Sequence, residues 1–81
     1  MEVNKKKIEE IKKIFDECIG VTLYYKDSGI NLEHVENGIS VHQVGGKDLG
    51  YFDSFDKMLD ELFIDGATAR EVLSIVEEIF Y

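Results

Sequence analysis

The chain begins with a pattern of apolar and polar positions that has the period of an amphipathic helix. The apolar stripe consists of Ile8, Ile11, Ile14, Phe15 and Cys18. Spacings of three and four residues place these side chains on one helical face. Asn4 precedes the stripe and suits an N-cap, whereas Gly20 is expected to end the helix. The sequence therefore predicts a helix between Asn4 and Gly20.

The pattern then changes to period-two alternation rich in β-branched and aromatic residues, which is typical of β-strands. Three strands are expected, over Val21–Lys26, Ile30–Glu36 and Ile39–Val44. Asn37-Gly38 separates the second from the third. Because a type I′ turn needs positive φ at both central positions, this pair is a strong hairpin signal. A turn over residues 26–29 joins the first two strands.

The two turns predict a register and, through it, an apolar face. They place Tyr25 opposite Ile30, and His34 opposite Val41. One face then carries Val21, Leu23, Tyr25, Ile30, Leu32, Ile39 and Val41. The other face carries Thr22, Tyr24, Asn31, Glu33, Ser40 and His42. The sequence predicts a three-stranded antiparallel meander with one buried face, and leaves open whether a helix covers the second face.

The last third of the chain predicts two helices. A short fourth strand over residues 49–52 stays open, and either Asp53 or Ser54 is expected to cap the second helix. Its apolar stripe is Phe55, Met58, Leu59, Leu62 and Phe63. Thr68 and Glu71 have the spacing of a capping box that opens a third helix. The apolar side of that helix is Ala69, Val72, Leu73, Val76, Ile79 and Phe80.

The predicted fold class is α+β, in the order α-β-β-β-α-α with a fourth strand left open. A chain of 81 residues has room for a single domain over residues 1–81. No apolar run is long enough to span a bilayer, and the amphipathic start predicts neither a signal peptide nor an anchor. The single cysteine cannot form an intramolecular disulfide, which favours a cytoplasmic location.

The net charge of −8 is concentrated in the second part of the chain. Residues 48–81 carry nine acids against two bases, which gives −7 of the total. Because nucleic-acid affinity needs clustered Lys and Arg, we expect no direct nucleic-acid binding. The lack of a long apolar run leads us to expect no membrane association either. An acidic surface instead attracts basic protein partners.

Residues that could carry chemistry are few, and their positions argue against an enzyme. His34 and His42, the only histidines, are predicted on opposite sheet faces and therefore cannot share a metal ion. We expect His34 at the rim of the buried face and His42 beside Glu33. Cys18 continues an apolar stripe and is interpreted as a packing residue rather than a nucleophile. No catalytic residue, metal or cofactor is predicted, and an enzyme acting through Cys18 ranks third among the functions considered.

What remains is the surface. Tyrosine is favoured at interfaces, and Tyr24 with Val35, Val44 and Tyr51 could form an amphipathic patch. The candidate protein-binding residues are Tyr24, Glu33, His42, Tyr51, Asp53, Asp56, Asp60 and Glu61. The leading hypothesis is a non-enzymatic protein-binding module, an acidic inhibitor or immunity-type protein that masks a basic surface. The alternative is a small structural homo-oligomer, such as a homodimer, or a complex subunit that binds no ligand.

Two segments of the last third also carry a resemblance. An aromatic-Asp-Ser start followed by a short amphipathic stretch occupies residues 51–59, and an Ile-Asp-Gly turn leads into a closing helix over residues 64–73. This part of the chain resembles small uncharacterised proteins that are common in the genomes, prophages and mobile elements of low-GC Gram-positive bacteria. The resemblance implies a bacterial or prophage setting and supports the fold, but it implies no activity, since each matching position serves capping or packing.

Overall fold

A computed structural model describes residues 3–81 of the chain. The helices are α1 (Lys5–Glu17), α2 (Phe55–Glu61) and α3 (Ala69–Ser74). The strands are β1 (Gly20–Tyr25), β2 (Ser28–Val35), β3 (Gly38–Gln43), β4 (Asp48–Phe52), β5 (Phe63–Ile64), β6 (Ala67–Thr68) and β7 (Glu78–Phe80). The predicted α+β class is confirmed, and the strands outnumber those predicted.

Five strands form one antiparallel sheet in the order β4-β3-β2-β1-β7. β5 and β6 form a separate two-stranded hairpin between α2 and α3. The sequence pattern predicts the meander β1-β2-β3 and leaves a fourth strand open, and the structure contains that strand as β4. The pattern does not predict β7, which makes β1 an inner strand rather than an edge.

Each helix begins at the cap that the sequence predicts. The Asn4 side chain accepts a hydrogen bond from the backbone N–H of Lys7, and Ser54 accepts one from that of Lys57, both at 3.1 Å. Thr68 and Glu71 form the reciprocal capping box, in which the Glu71 N–H donates to Thr68 Oγ1 at 3.2 Å. These contacts satisfy N–H groups that a helix start leaves without a partner.

Both predicted hairpin registers are wrong by two residues. Val35 lies opposite Gly38, and His34 lies opposite Ile39 instead of Val41. The loop uses Glu36-Asn37 rather than Asn37-Gly38, with the positive φ of 65° at Asn37. Gly38 instead belongs to the strand, where an added Cβ would lie only 2.4 Å from the backbone oxygen of Phe52.

The first hairpin is displaced in the same way. Lys26 and Asp27 form its loop with φ of 42° and 62°, so that Tyr25 lies opposite Ser28 instead of Ile30. Successive side chains in a strand alternate between faces, so a displacement of two residues returns each side chain to the same face. The predicted division into two faces therefore survives the register error.

The core lies between the predicted apolar face and the three helices. All seven residues of that face are at most 5% exposed. They form one cluster with buried residues of every helix, including Phe15 from α1, Met58 from α2 and Leu73 from α3. Because α1, α2 and α3 all pack on this side, residues 3–81 form two layers, and no helix in this part of the chain covers the other face of the sheet.

The third helix is shorter than predicted. α3 ends at Ser74, and the placement of Ile79 and Phe80 on a helix is wrong, since both belong to β7. Hydrogen bonds with β1 and the turn after it hold the segment that follows α3 beside the sheet. The Glu77 N–H donates to the Tyr24 carbonyl at 2.8 Å, and Glu77 Oε1 accepts from the Lys26 N–H at 3.0 Å.

The apolar stripe of the second helix also ends earlier than predicted. α2 stops at Glu61, and Phe63 lies in β5 with 63% of its surface exposed. Asp65 and Gly66 turn the chain back with φ of 52° and 85°, which forms the β5-β6 hairpin. Assigning Phe63 to the buried side of α2 was therefore wrong, because the turn removes it from the helix.

Candidate functional site

The sheet surface opposite the helices is the main uncovered surface of the fold, and we call it the open face. Its residues are Thr22, Tyr24, Asn31, Glu33, Val35, Ser40, His42, Val44, Asp48, Tyr51, Glu78 and Phe80. Each is exposed or half-buried. This set contains three carboxylates and no Lys or Arg. The open face therefore combines aromatic and polar side chains with a negative charge.

An apolar cluster occupies one end of the open face. The rings of Tyr24 and Phe80, on neighbouring strands β1 and β7, lie 5.4 Å apart at 88°. Gly29 on β2 lies opposite Tyr24. Because it has no side chain, the side chains of Tyr24 and Val44 both lie close to its backbone. An added Cβ there would lie 2.8 Å from both the Tyr24 ring and the Val44 side chain. Tyr24, Val44 and Phe80 remain 36%, 49% and 53% exposed, respectively.

A second tyrosine lies near the other end of the open face. Tyr51 on β4 is opposite Ser40, and its hydroxyl donates to the backbone oxygen of Glu36 at 3.1 Å. An added Cβ at Gly38 would approach the Tyr51 hydroxyl oxygen to 2.7 Å, so the ring lies close over the glycine. Tyr51 is thus held in place while 52% of its surface stays exposed.

Polar side chains occupy the centre of the face. The Asn31 amide donates to Thr22 Oγ1 at 3.0 Å, and Ser40 Oγ lies 2.9 Å from His42 Nε2. The expected pairing of His42 with Glu33 is wrong, since His42 lies opposite Asn31 in the observed register. Both bonds are made within the face, and the residues that form them lie between its two aromatic ends.

Ser40, His42 and Asp48 are the three residue types of a serine-hydrolase triad, but the distance between His42 and Asp48 does not fit one. His42 Nδ1 lies 3.9 Å from Asp48 Oδ1, which is too long for a hydrogen bond. That oxygen instead accepts from the Gly50 N–H at 3.1 Å. We interpret the trio as surface hydrogen bonding.

The predicted binding residues divide into two groups. Tyr24, Glu33, His42 and Tyr51 all lie on the open face. The acidic group Asp53, Asp56, Asp60 and Glu61 lies just before or within α2, in the helical layer.

Two members of this acidic group are paired with nearby bases. Asp53 Oδ2 lies 3.3 Å from Lys57 Nζ, and Asp60 Oδ1 lies 2.6 Å from Arg70 Nη2. The eight candidates lie in two different layers of the fold, so they do not form one surface.

Glu78 and Phe80 are open-face residues that the sequence interpretation missed. Their positions fit the period of the third helix, and only the pairing of β7 with β1 brings them beside Tyr24. The sequence indicates the pairing of Asp53 with Lys57 only weakly, through their spacing of four residues. It does not indicate the pairing of Asp60 with Arg70, because Arg70 lies on another helix.

The remaining candidate residues lie on the core side of the sheet. His34 stacks on Phe15 with ring centroids 3.8 Å apart, and its Nε2 lies 2.7 Å from the Phe15 carbonyl oxygen. This position confirms that His34 lies at the rim of the buried face. Cys18 is half-buried at the end of α1 and packs against the core, as the stripe predicted.

Tyr25 is a core residue whose side chain carries a polar group, the phenolic hydroxyl. It is 5% exposed, and its buried hydroxyl has no hydrogen-bond partner among residues 3–81. Burial raises the pKa of the phenol above its ordinary value, and the nearby Asp65 carboxylate raises it further. A neutral, inward-facing phenol of this kind is suited to packing rather than to proton transfer near neutral pH.

Within the described residues, no three His, Cys, Asp or Glu side chains are grouped so that they could hold a metal ion. Nor does any helix in that part of the chain have the length and apolarity to cross a membrane. No protein-family model, curated protein or solved structure matches the chain.

Proposed function

We propose that this chain is a non-enzymatic protein-binding module of the bacterial cytoplasm whose open face covers a basic surface on a partner protein, as an inhibitor or immunity-type protein does. One observation carries the proposal. Within residues 3–81, one face of the five-stranded sheet is covered by no helix, and the open-face residues include exposed aromatic side chains and carboxylates but no Lys or Arg.

The size of the open face suits a protein partner. Five strands at a spacing of about 4.8 Å and a length of six residues at about 3.4 Å give roughly 24 by 20 Å, or about 480 Å² in projection. A standard interface buries about 800 Å² on each partner. The face supplies more than half of that area, and its rims can supply the rest.

The composition of the face favours a heterologous partner. Exposed Tyr and Phe side chains are enriched at the centres of protein interfaces. Glu33, Asp48 and Glu78 place three of the chain's acids on this face, and the net charge of the whole chain is −8. A second copy would bring like charges together, whereas a basic partner gains both association rate and specificity from complementary charge.

Charge reversal on the two layers tests the proposal. We expect the double variant Glu33→Lys and Glu78→Lys to lose the partner that the immobilised wild-type protein retains from a low-GC Gram-positive lysate. The matched variant Asp56→Lys and Glu61→Lys changes the charge equally on α2 and should retain it. The loss should be greater at low salt, where exposed charges are least screened.

The opposite pattern would contradict the proposal. If the α2 variant loses the partner and the open-face variant keeps it, then the acidic helix is the binding surface. If wild-type protein retains nothing at low salt and light scattering shows a stable dimer, the homo-oligomer is the better account. Circular dichroism of both variants checks that each remains folded.

A further inference from the structure

A small notch opens where β1 meets β7 at the end of the open face. Its lining consists of Tyr24, Glu78 and Phe80, and we call it the β7 notch. The two rings are perpendicular, with centroids 5.4 Å apart. In such an arrangement the edge of one ring meets the face of the other, so the corner between them has ring faces as both walls. A cation is attracted to the face of an aromatic ring, where the quadrupole is negative.

Carboxylates lie in this aromatic corner and in the cavity next to it. Glu78 lines the notch itself and is exposed. A neighbouring cavity shares Tyr24 and Glu78 with the notch and adds Asp27 and Glu77 to its lining. The notch therefore combines two ring faces with a local excess of negative charge.

Among residues 3–81, no Lys, Arg or His side chain lies within 4.0 Å of the Glu78 carboxylate. The ion pairs of this part of the chain are Lys57–Asp53 and Arg70–Asp60, and neither includes Glu78. Lys26 lies on the adjoining turn, where its backbone N–H donates to Glu77, and its ammonium group forms no ion pair with residues 3–81. The Glu78 carboxylate is thus available to an incoming charge.

We infer that the β7 notch binds the guanidinium group of an arginine side chain on the partner's basic surface. A guanidinium is planar, stacks on an aromatic face and donates two parallel hydrogen bonds to a carboxylate, whereas a lysine ammonium acts as a point charge. The perpendicular rings and Glu78 offer both kinds of contact within one corner. This inference rests on the proposed function and names the group that the open face anchors.

Titration of the 15N-labelled protein with the blocked tripeptide acetyl-Gly-Arg-Gly-amide tests the inference. We expect amide shifts confined to residues near Tyr24, Glu78 and Phe80, with weak, saturable binding. The same peptide with citrulline in place of arginine keeps the shape and loses the charge, and it should leave these amides unshifted. Glu78→Gln and Phe80→Leu should each weaken binding by about two- to five-fold, the range for one exposed ion pair or cation–π contact.

Glu61→Gln is the matched control, because it removes one exposed charge from the helical layer and should leave the affinity unchanged. Equal shifts with arginine and citrulline, shifts centred on α2, or equal weakening by Glu61→Gln and Glu78→Gln would overturn the inference. Glu78→Gln keeps the test decisive even if Phe80→Leu loosens β7. If the peptide fails while the open-face charge reversal still abolishes partner retention, the notch alone is wrong and the proposed function stands.

Discussion

Tyr25→Phe isolates a single buried polar group, and we expect it to stabilise the protein. The Tyr25 hydroxyl is buried and has no hydrogen-bond partner among residues 3–81. Leaving such a group unpaired costs about 1 to 3 kcal/mol relative to leaving it in water. Phenylalanine keeps the ring and its contacts and removes only the oxygen. We therefore expect the free energy of unfolding to rise by about 1 kcal/mol, the lower end of that range.

Urea unfolding followed by circular dichroism measures this change through the transition midpoint, provided that the slope stays constant. In thermal unfolding, a gain of 1 kcal/mol raises Tm by about 4 to 8 °C for a domain of this size. Tyr24→Phe is the matched control, because its hydroxyl lies on the open face. We expect that substitution to change stability by no more than about 0.5 kcal/mol.

The same residue predicts a dependence on alkaline pH. Burial, with the Asp65 carboxylate, raises the pKa of Tyr25 in the folded protein above its value in the unfolded chain. The folded state therefore holds the phenolic proton more tightly. This contribution to stability is complete below a pH of about 10 and is lost as the pH rises through the raised pKa. The stability advantage of Tyr25→Phe over wild type should widen above pH 10.

Two results would refute this reasoning. A loss of 1 kcal/mol or more in Tyr25→Phe would mean that the hydroxyl makes a favourable bond in the folded protein. A constant difference between variant and wild type from pH 8 to pH 11 would mean that the phenol ionises equally easily in both states.

Three further substitutions test the fold at separate points. Gly38→Ala should cost about 1 to 3 kcal/mol in urea unfolding, because its Cβ would meet the Phe52 backbone oxygen at 2.4 Å, and a cost near zero would contradict the register of β3 against β4. Thr68→Ala should cost about 1 kcal/mol by removing the capping box of α3, and unchanged stability would argue against that helix start. Leu23→Ala should cost about 2 to 5 kcal/mol at a fully buried site, whereas exposed Phe63→Ala should stay within about 0.5 kcal/mol; similar costs for the two would contradict their assigned burial.

Local signals in the sequence predicted much of the fold. Asn4, Ser54 and Thr68 begin helices because a cap depends on a few neighbouring residues. The two faces of the meander were correct because period two is insensitive to a displacement of two residues. The register itself was wrong, since the close packing of Gly38 against the backbone of Phe52 is a contact between strands that spacing does not encode.

Non-local contacts explain what the sequence did not predict. Residues 75–80 fit a helical period, and only the backbone groups of β1 turn Glu78–Phe80 into a strand. The open face was therefore predicted through Tyr24 and Tyr51, and its β7 end was missed. The acids of α2 were grouped with it because the sequence does not show that Arg70 reaches Asp60 from another helix.

The central claim is that the partner binds the open face and not the helical layer. Its most direct test places a photo-crosslinking phenylalanine analogue at Val44 on the open face or at Glu61 on α2. After irradiation in cells of a low-GC Gram-positive host, we predict a covalent adduct with a second protein from position 44 and none from position 61. An adduct from position 61 alone, or one from position 44 with the mass of a homodimer, would contradict the claim.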